Sequence, residues 1–118
     1  MDGRERYVRA GTGHRRIEAA HVQKSDFLNS KVEVFGMLTK VDHSDGIAQL
    51  ALIGENESLG IAQLQLHMKV GSEMHKKIQS LKGNRLKGKD LETIIIKGIC
   101  KKGRKTNFID AESISIVE

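Results

Sequence analysis

The sequence predicts an all-β domain with one helix, its elements in the order β-β-β-α-β-β, and three observations lead there. Residues 31–41, KVEVFGMLTKV, alternate with period two and are rich in β-branched side chains. The pentapeptide GIAQL stands at 46–50 and again at 60–64, inside two alternating runs joined by the polar GENES. Residues 72–83, SEMHKKIQSLKG, then switch to a helical period before two further apolar runs close the chain.

In the first strand Val32, Val34 and Leu38 share one face, and Phe35, Met37 and Val41 the other. Gly36 in its middle is the expected site of a bulge or sharp bend. DHSDG, 42–46, has the composition of a turn. Two alternating runs joined by a short Gly-containing loop make a hairpin, and an offset of fourteen residues is far below the ~20–50 of solenoid units. The twin GIAQL is therefore two neighbouring strands solving one packing problem. In the second of them Ala62, Leu64, Leu66 and Met68 line one face, while Gln63, Gln65, His67 and Lys69 line a face half-open to water. The helix follows, with Ser72 as N-cap, Met74, Ile78 and Leu81 as its apolar stripe, and Gly83 where a left-handed C-terminal residue is wanted. NRLKGKD is a basic loop, ETIIIKGICKK a central strand apolar on both sides, KKGRKTN a cationic turn, and FIDAESISIV the last strand. Upstream, residues 1–30 form a basic arm followed by a short helix or covering segment over 17–28, and 31–118 form the domain proper.

The chain holds 118 residues, no Pro, no Trp, one Tyr and three Phe, so its core must be aliphatic and rings for stacking are few. The single Cys100 excludes an internal disulfide and a cysteine zinc cluster, and fits a reducing compartment. No apolar run approaches the ~20 residues that span a bilayer, and no apolar segment follows the basic N-terminus, so a cytoplasmic protein is expected. The net charge of +5 is unevenly spread. Residues 1–16 carry +3, 17–68 carry −4, 69–105 carry +9 and the last thirteen −3. A gradient this steep over one small domain suggests a face presented to a polyanion.

The helix between the third and fourth strands is the layout of the OB-fold, a partly open five-stranded Greek-key barrel. "VEVFGMLTKVD", "IQSLKGNRLKGKDLETIIIKGICKKG" and "FIDAESISIVE" resemble the tRNA-anticodon-binding-like branch of that fold, over 31–118. The resemblance implies binding of single-stranded nucleic acid or oligosaccharide on the face of strands two and three and by the loops joining strands 1–2 and 4–5. Those positions are Gln49, Gln63, Gln65 and His67 on the face, His43 in the first loop, and Lys101, Lys102, Arg104 and Lys105 in the second. The densest cationic cluster coincides with the loop expected to bind. The proposed face carries no aromatic ring, so phosphate contacts from the loop, aided by Lys87 and Lys89, must dominate. Phe35 and Phe108 are as readily core as platform. Arg4, Arg6, Arg9, Arg15 and Arg16 form a trailing basic arm that orders on binding.

The residues offer no catalytic constellation and no cofactor or metal site. The five histidines lack the i, i+4 spacing of a helical zinc site and are read as surface residues; the Ser, His and Asp of DHSDG are turn residues; Cys100 is read as an inert buried thiol. The expected function is non-enzymatic binding of nucleic acid, single-stranded DNA or RNA. A second reading is an adaptor docking a protein partner, or itself, through Phe35, Met37 and Val41. A third, from RERYVR and DHSDG, resembles the spaced arginines and D-x-S-x-x-G turn of cyclic-dinucleotide-binding PilZ proteins, one residue short.

Overall fold

A computed structural model describes residues 13–81 and 92–117 of the chain. The strands are β1 (Arg15–Ile17), β2 (Lys31–Ser44), β3 (Ile47–Ile53), β4 (Ile61–His67), β5 (Glu92–Lys101) and β6 (Phe108–Val117), with helix α1 (Glu73–Ser80) between β4 and β5. Their order is β1-β2-β3-β4-β6-β5, and pairing of β2 with β5 closes the ring. The seam is a short parallel contact in which Leu66 and His67 of β4 meet Ile109 and Asp110 of β6. This is the OB-like barrel the sequence predicts, with one strand added.

The added strand is β1. Arg15 and Arg16, read from sequence as the end of an arm, pair with Val32 and Glu33 of β2, and Ile17 pairs with Val34. β3 accompanies β2 only from Met37 to Ser44. β1 thus takes up the place beside β2 that β3 has left. Arg4, Arg6 and Arg9 lie outside the described residues, as do Lys87, Lys89 and Gly83. Residues 19–28 form a covering segment with two 3-10 turns, Ala19–His21 and Ser25–Phe27. From it Ala19 and Val22 enter the core, and Phe27 and Leu28 pack against it.

β2 differs from expectation in three ways. The strand runs on to Ser44, so the turn is only Asp45–Gly46, with φ of +48° and +83°, the pair of left-handed residues that a tight hairpin turn requires. His43 therefore sits on the strand, exposed, and not in a loop. The bulge is at Thr39, not Gly36: pairing jumps between Leu38 and Lys40, and the Thr39 hydroxyl donates to the Ala51 carbonyl at 2.9 Å. Gly36 instead lets β3 approach, since a Cβ there would lie 3.0 Å from that of Leu52. An extra residue reverses the inside–outside phase of everything beyond it. Val41 therefore pairs with Leu50 and packs on the core, leaving the face it was expected to share with Phe35 and Met37.

The two GIAQL copies behave as adjacent strands. Ala48, Leu50, Leu64 and Leu66 point into the core, while Ile47, Gln49, Ile61 and Gln63 point outward. Across the hairpin Gln49 faces Gln65, Ala51 faces Gln63 and Ile47 faces His67. The connection between them includes a 3-10 turn, Glu57–Leu59. α1 begins at Ser72, whose hydroxyl accepts from the His75 N–H at 3.2 Å, and buries Met74 and Ile78. β5 is central as expected, flanked by β2 and β6 along its length. Ile94, Ile96 and Cys100 are buried, and burial pushes the Cys100 thiol above its ordinary pKa. Among the described residues no helix is long and apolar enough to cross a membrane.

Candidate functional site

Alternation along β6 sends Ile109 into the core and leaves Phe108 on the outside. There the Phe108 ring lies flat on the imidazole of His67, with centroids 3.7 Å apart and planes inclined by 15°. His67 is also held by Gln65, Nε2 donating to Oε1 at 2.8 Å. That bond occupies the Gln65 carbonyl and leaves its amide hydrogens for a ligand. Phe108, His67 and Gln65 line an open cleft of about 480 Å³, together with Ile47 and residues 102–106 of the β5–β6 loop. The face that sequence reading supposed to be without rings thus has a stacked pair at its end. The alternation in "FIDA" carried the signal, because Ile109 and Ala111 claim the inside and push Phe108 out.

The β5–β6 loop supplies the charge. Lys102, Arg104 and Lys105 are exposed and line the cleft; Lys101, half-buried at the end of β5, does not line it. Among the described residues none of these four cations has a salt-bridge partner. The foot of the loop is anchored. Buried Asn107 donates from Nδ2 to the Val22 carbonyl at 3.0 Å and from its backbone N–H to Gln23 Oε1 at 2.8 Å, and Gln23 Nε2 returns a bond to the Asn107 carbonyl at 3.1 Å. The covering segment is itself tied to β5, with Asn29 N–H donating to the Cys100 carbonyl at 2.6 Å. So the segment 19–28 positions the cationic loop, a role for Asn107 and Gln23 that no local motif advertises.

Gln49 and Gln63 are exposed on the same outer face as Gln65 and His67, so the structure brings these four together with the loop. Arg15 and Arg16 are elsewhere, near the β3–β4 connection. The Arg15 guanidinium carbon lies 4.8 Å from the Phe27 ring centroid, and that of Arg16 lies 4.8 Å from Phe35. Arg16 also meets Glu55 at 3.7 Å. His43 is edge-on to His75 at 6.4 Å, away from the stacked pair. His14 is not a surface histidine: its side chain is 7 % exposed and Nε2 lies 2.9 Å from Glu112. Among the described residues no three His, Cys, Asp or Glu side chains gather as a metal site would. RERYVR lies outside the described residues, and Asp42 and Ser44 of DHSDG are on β2 rather than in a turn.

No family model matches the chain, and no curated protein matches it. Solved structures do. An OBody bound to hen egg-white lysozyme superposes with a TM-score of 0.63 at 16% identity, over 86% of this chain and 91% of that one. Asparaginyl-tRNA synthetase from Pyrococcus horikoshii gives 0.60 at 18%, over 86% of this chain and 23% of that one. A chain of the S. pombe Stn1–Ten1 complex gives 0.54 at 13%, over 74% and 57%. The chain thus spans under a quarter of the synthetase, and likeness at these identities speaks for the OB-like fold alone.

Proposed function

We propose that this chain binds single-stranded nucleic acid, DNA or RNA, on the outer face of β3 and β4, as a binding protein of the cytoplasm and not an enzyme, within the tRNA-anticodon-binding-like branch of the OB-fold. One observation carries the reading: Lys102, Arg104 and Lys105, without a salt-bridge partner among the described residues, border the same cleft as the stacked Phe108–His67 pair. The loop grips phosphates, Phe108 and His67 seat a base, and Gln49, Gln63 and Gln65 bond base edges or sugars. The synthetase neighbour, which by its name acts on tRNA, supports this reading.

The test is fluorescence anisotropy of labelled single-stranded DNA and RNA, and of a duplex, across a salt series. Single strands are expected to bind, with a log–log salt slope of about −0.7 per phosphate contact, and so near −2 for the three cations that line the cleft. Absence of binding at low salt removes the proposal. The competing reading is a protein partner on the same face. Exposed Ile61 on β4 favours it, and the OBody neighbour is bound to lysozyme. Pull-down of a partner by a chain that binds no oligonucleotide would decide for it.

A further inference from the structure

The outward ladder of the site does not stop at the end of β3. Along β3 it consists of Ile47, Gln49, Ala51 and Ile53, which face Ser44, Asp42, Lys40 and Met37 of β2. β1 continues the line, pairing beside β2 with Arg16 opposite Glu33, outward, and Ile17 opposite Val34, inward and buried. Phe35 follows Glu33 on that outward face of β2, and Arg16 lies over its ring. Between Arg16 and Phe108 therefore runs one outward face, with a guanidinium over a ring at one end and a stacked ring pair at the other. From Ser44 to Glu33 it measures at most roughly 35 Å, at about 3.3 Å per residue of strand.

The chemistry of the far end differs from that of the loop. A cleft of about 430 Å³ there is lined by Arg15, Arg16, Phe27, Phe35, Glu18 and Glu55 among others. The two arginines are matched by two carboxylates, so the cleft has little net attraction for a phosphate. What it offers is a planar guanidinium, backed by a ring on one side and with its side chain 38% exposed. A flat cation supported in this way presents its other surface for a base to lie on.

We infer that Arg16 and Phe35 form a second base-stacking subsite, for the part of the same single strand that leaves the β5–β6 loop and runs along the outer face. This rests on the proposed function and extends it: the loop holds the strand by phosphates, and the far subsite holds it by a base. Affinity then depends on length, because an oligonucleotide of about four nucleotides occupies one end and one of about sixteen occupies both, the two limits of site size for a single OB barrel.

Anisotropy with wild type, Arg16→Ala and Arg16→Lys, using dT oligomers of those two lengths across a salt series, tests the subsite. Both variants are expected to lose about tenfold for the long oligomer, as one stacked base would account for, with the short oligomer and the salt slope unchanged. Lysine keeps the charge and lacks the plane, so its failure to rescue is part of the expectation. Unchanged binding of the long oligomer by Arg16→Ala, an equal loss at both lengths, or a slope shallower by about 0.7 each overturns the inference while leaving the loop site standing. Rescue by Arg16→Lys would overturn it too. If wild type binds neither length, the proposed function itself fails and the inference falls with it. Arg16 is a surface residue of an exposed strand, and matching melting curves confirm that the variants are folded.

Discussion

The two ends of the outer face each join a ring to a cation, and they do so in opposite ways. At the loop end the rings of Phe108 and His67 stack on each other, and the cations stand apart from them, without a salt-bridge partner among the described residues, on a backbone without regular structure. At the β1 end the guanidiniums of Arg15 and Arg16 lie over Phe27 and Phe35, fixed by a strand, and Glu55 engages Arg16. Free cations act at a distance and are screened by salt; a seated guanidinium acts only by contact and is nearly indifferent to salt. On the proposed function the same two residue types would serve capture at one end and positioning at the other.

Removing the charge at the loop end should have the largest effect. Lys102, Arg104 and Lys105 all changed to Ala are expected to flatten the salt slope of single-strand binding by about 2 and to cut low-salt affinity by orders of magnitude. A slope within about 0.5 of wild type would take the loop out of the site. Phe108→Ala comes next. It should weaken binding by about 1–3 kcal/mol, read by anisotropy, with the slope preserved, whereas Phe108→Leu keeps the apolar bulk but still loses the stack. Asn107→Ala probes how the loop is held. It strips the Val22 carbonyl of the buried amide that bonds it and is expected to cost about 1–3 kcal/mol of stability in urea unfolding. It should also broaden the loop resonances in NMR spectra, and sharp unchanged spectra would deny the anchor. Smallest is Glu55→Gln: the Arg16–Glu55 pair is half-exposed at 3.7 Å, so stability should move by less than about 1 kcal/mol. A larger loss in thermal melts would mean that β1 depends on that ion pair.

How much of this the sequence disclosed varied with how local the determining physics was. Alternation over 31–38, the paired GIAQL runs, the Ser72 cap and the closing strand at 108–117 were all readable, because each rests on neighbours in the chain. The extension of β2 to Ser44 was hidden by composition. Asp42, His43 and Ser44 are exposed, so a stretch of strand there looks like a turn. The bulge at Thr39 is fixed by a hydroxyl reaching the Ala51 carbonyl of the next strand, and no pattern within β2 announces it. β1 was missed for the same reason in stronger form. Three residues, Arg15–Ile17, are defined only by a parallel partner more than a dozen positions away. At the site, the cationic loop and the Gln–His face were legible. Phe108 was left open between core and platform, although the alternation of its own strand pointed outward.

β1 has a further consequence for how the molecule lives among its own copies. A strand that is paired on one side only offers a row of unsatisfied N–H and C=O groups to any extended chain that passes, which is how sheets grow from molecule to molecule. The first half of β2 would be such an edge, apolar and regular, once β3 has parted from it. Arg15–Ile17 covers it with a strand too short to propagate and charged at two of its three positions. Three residues upstream of the barrel thus cover an edge that would otherwise stand open to pairing by another chain.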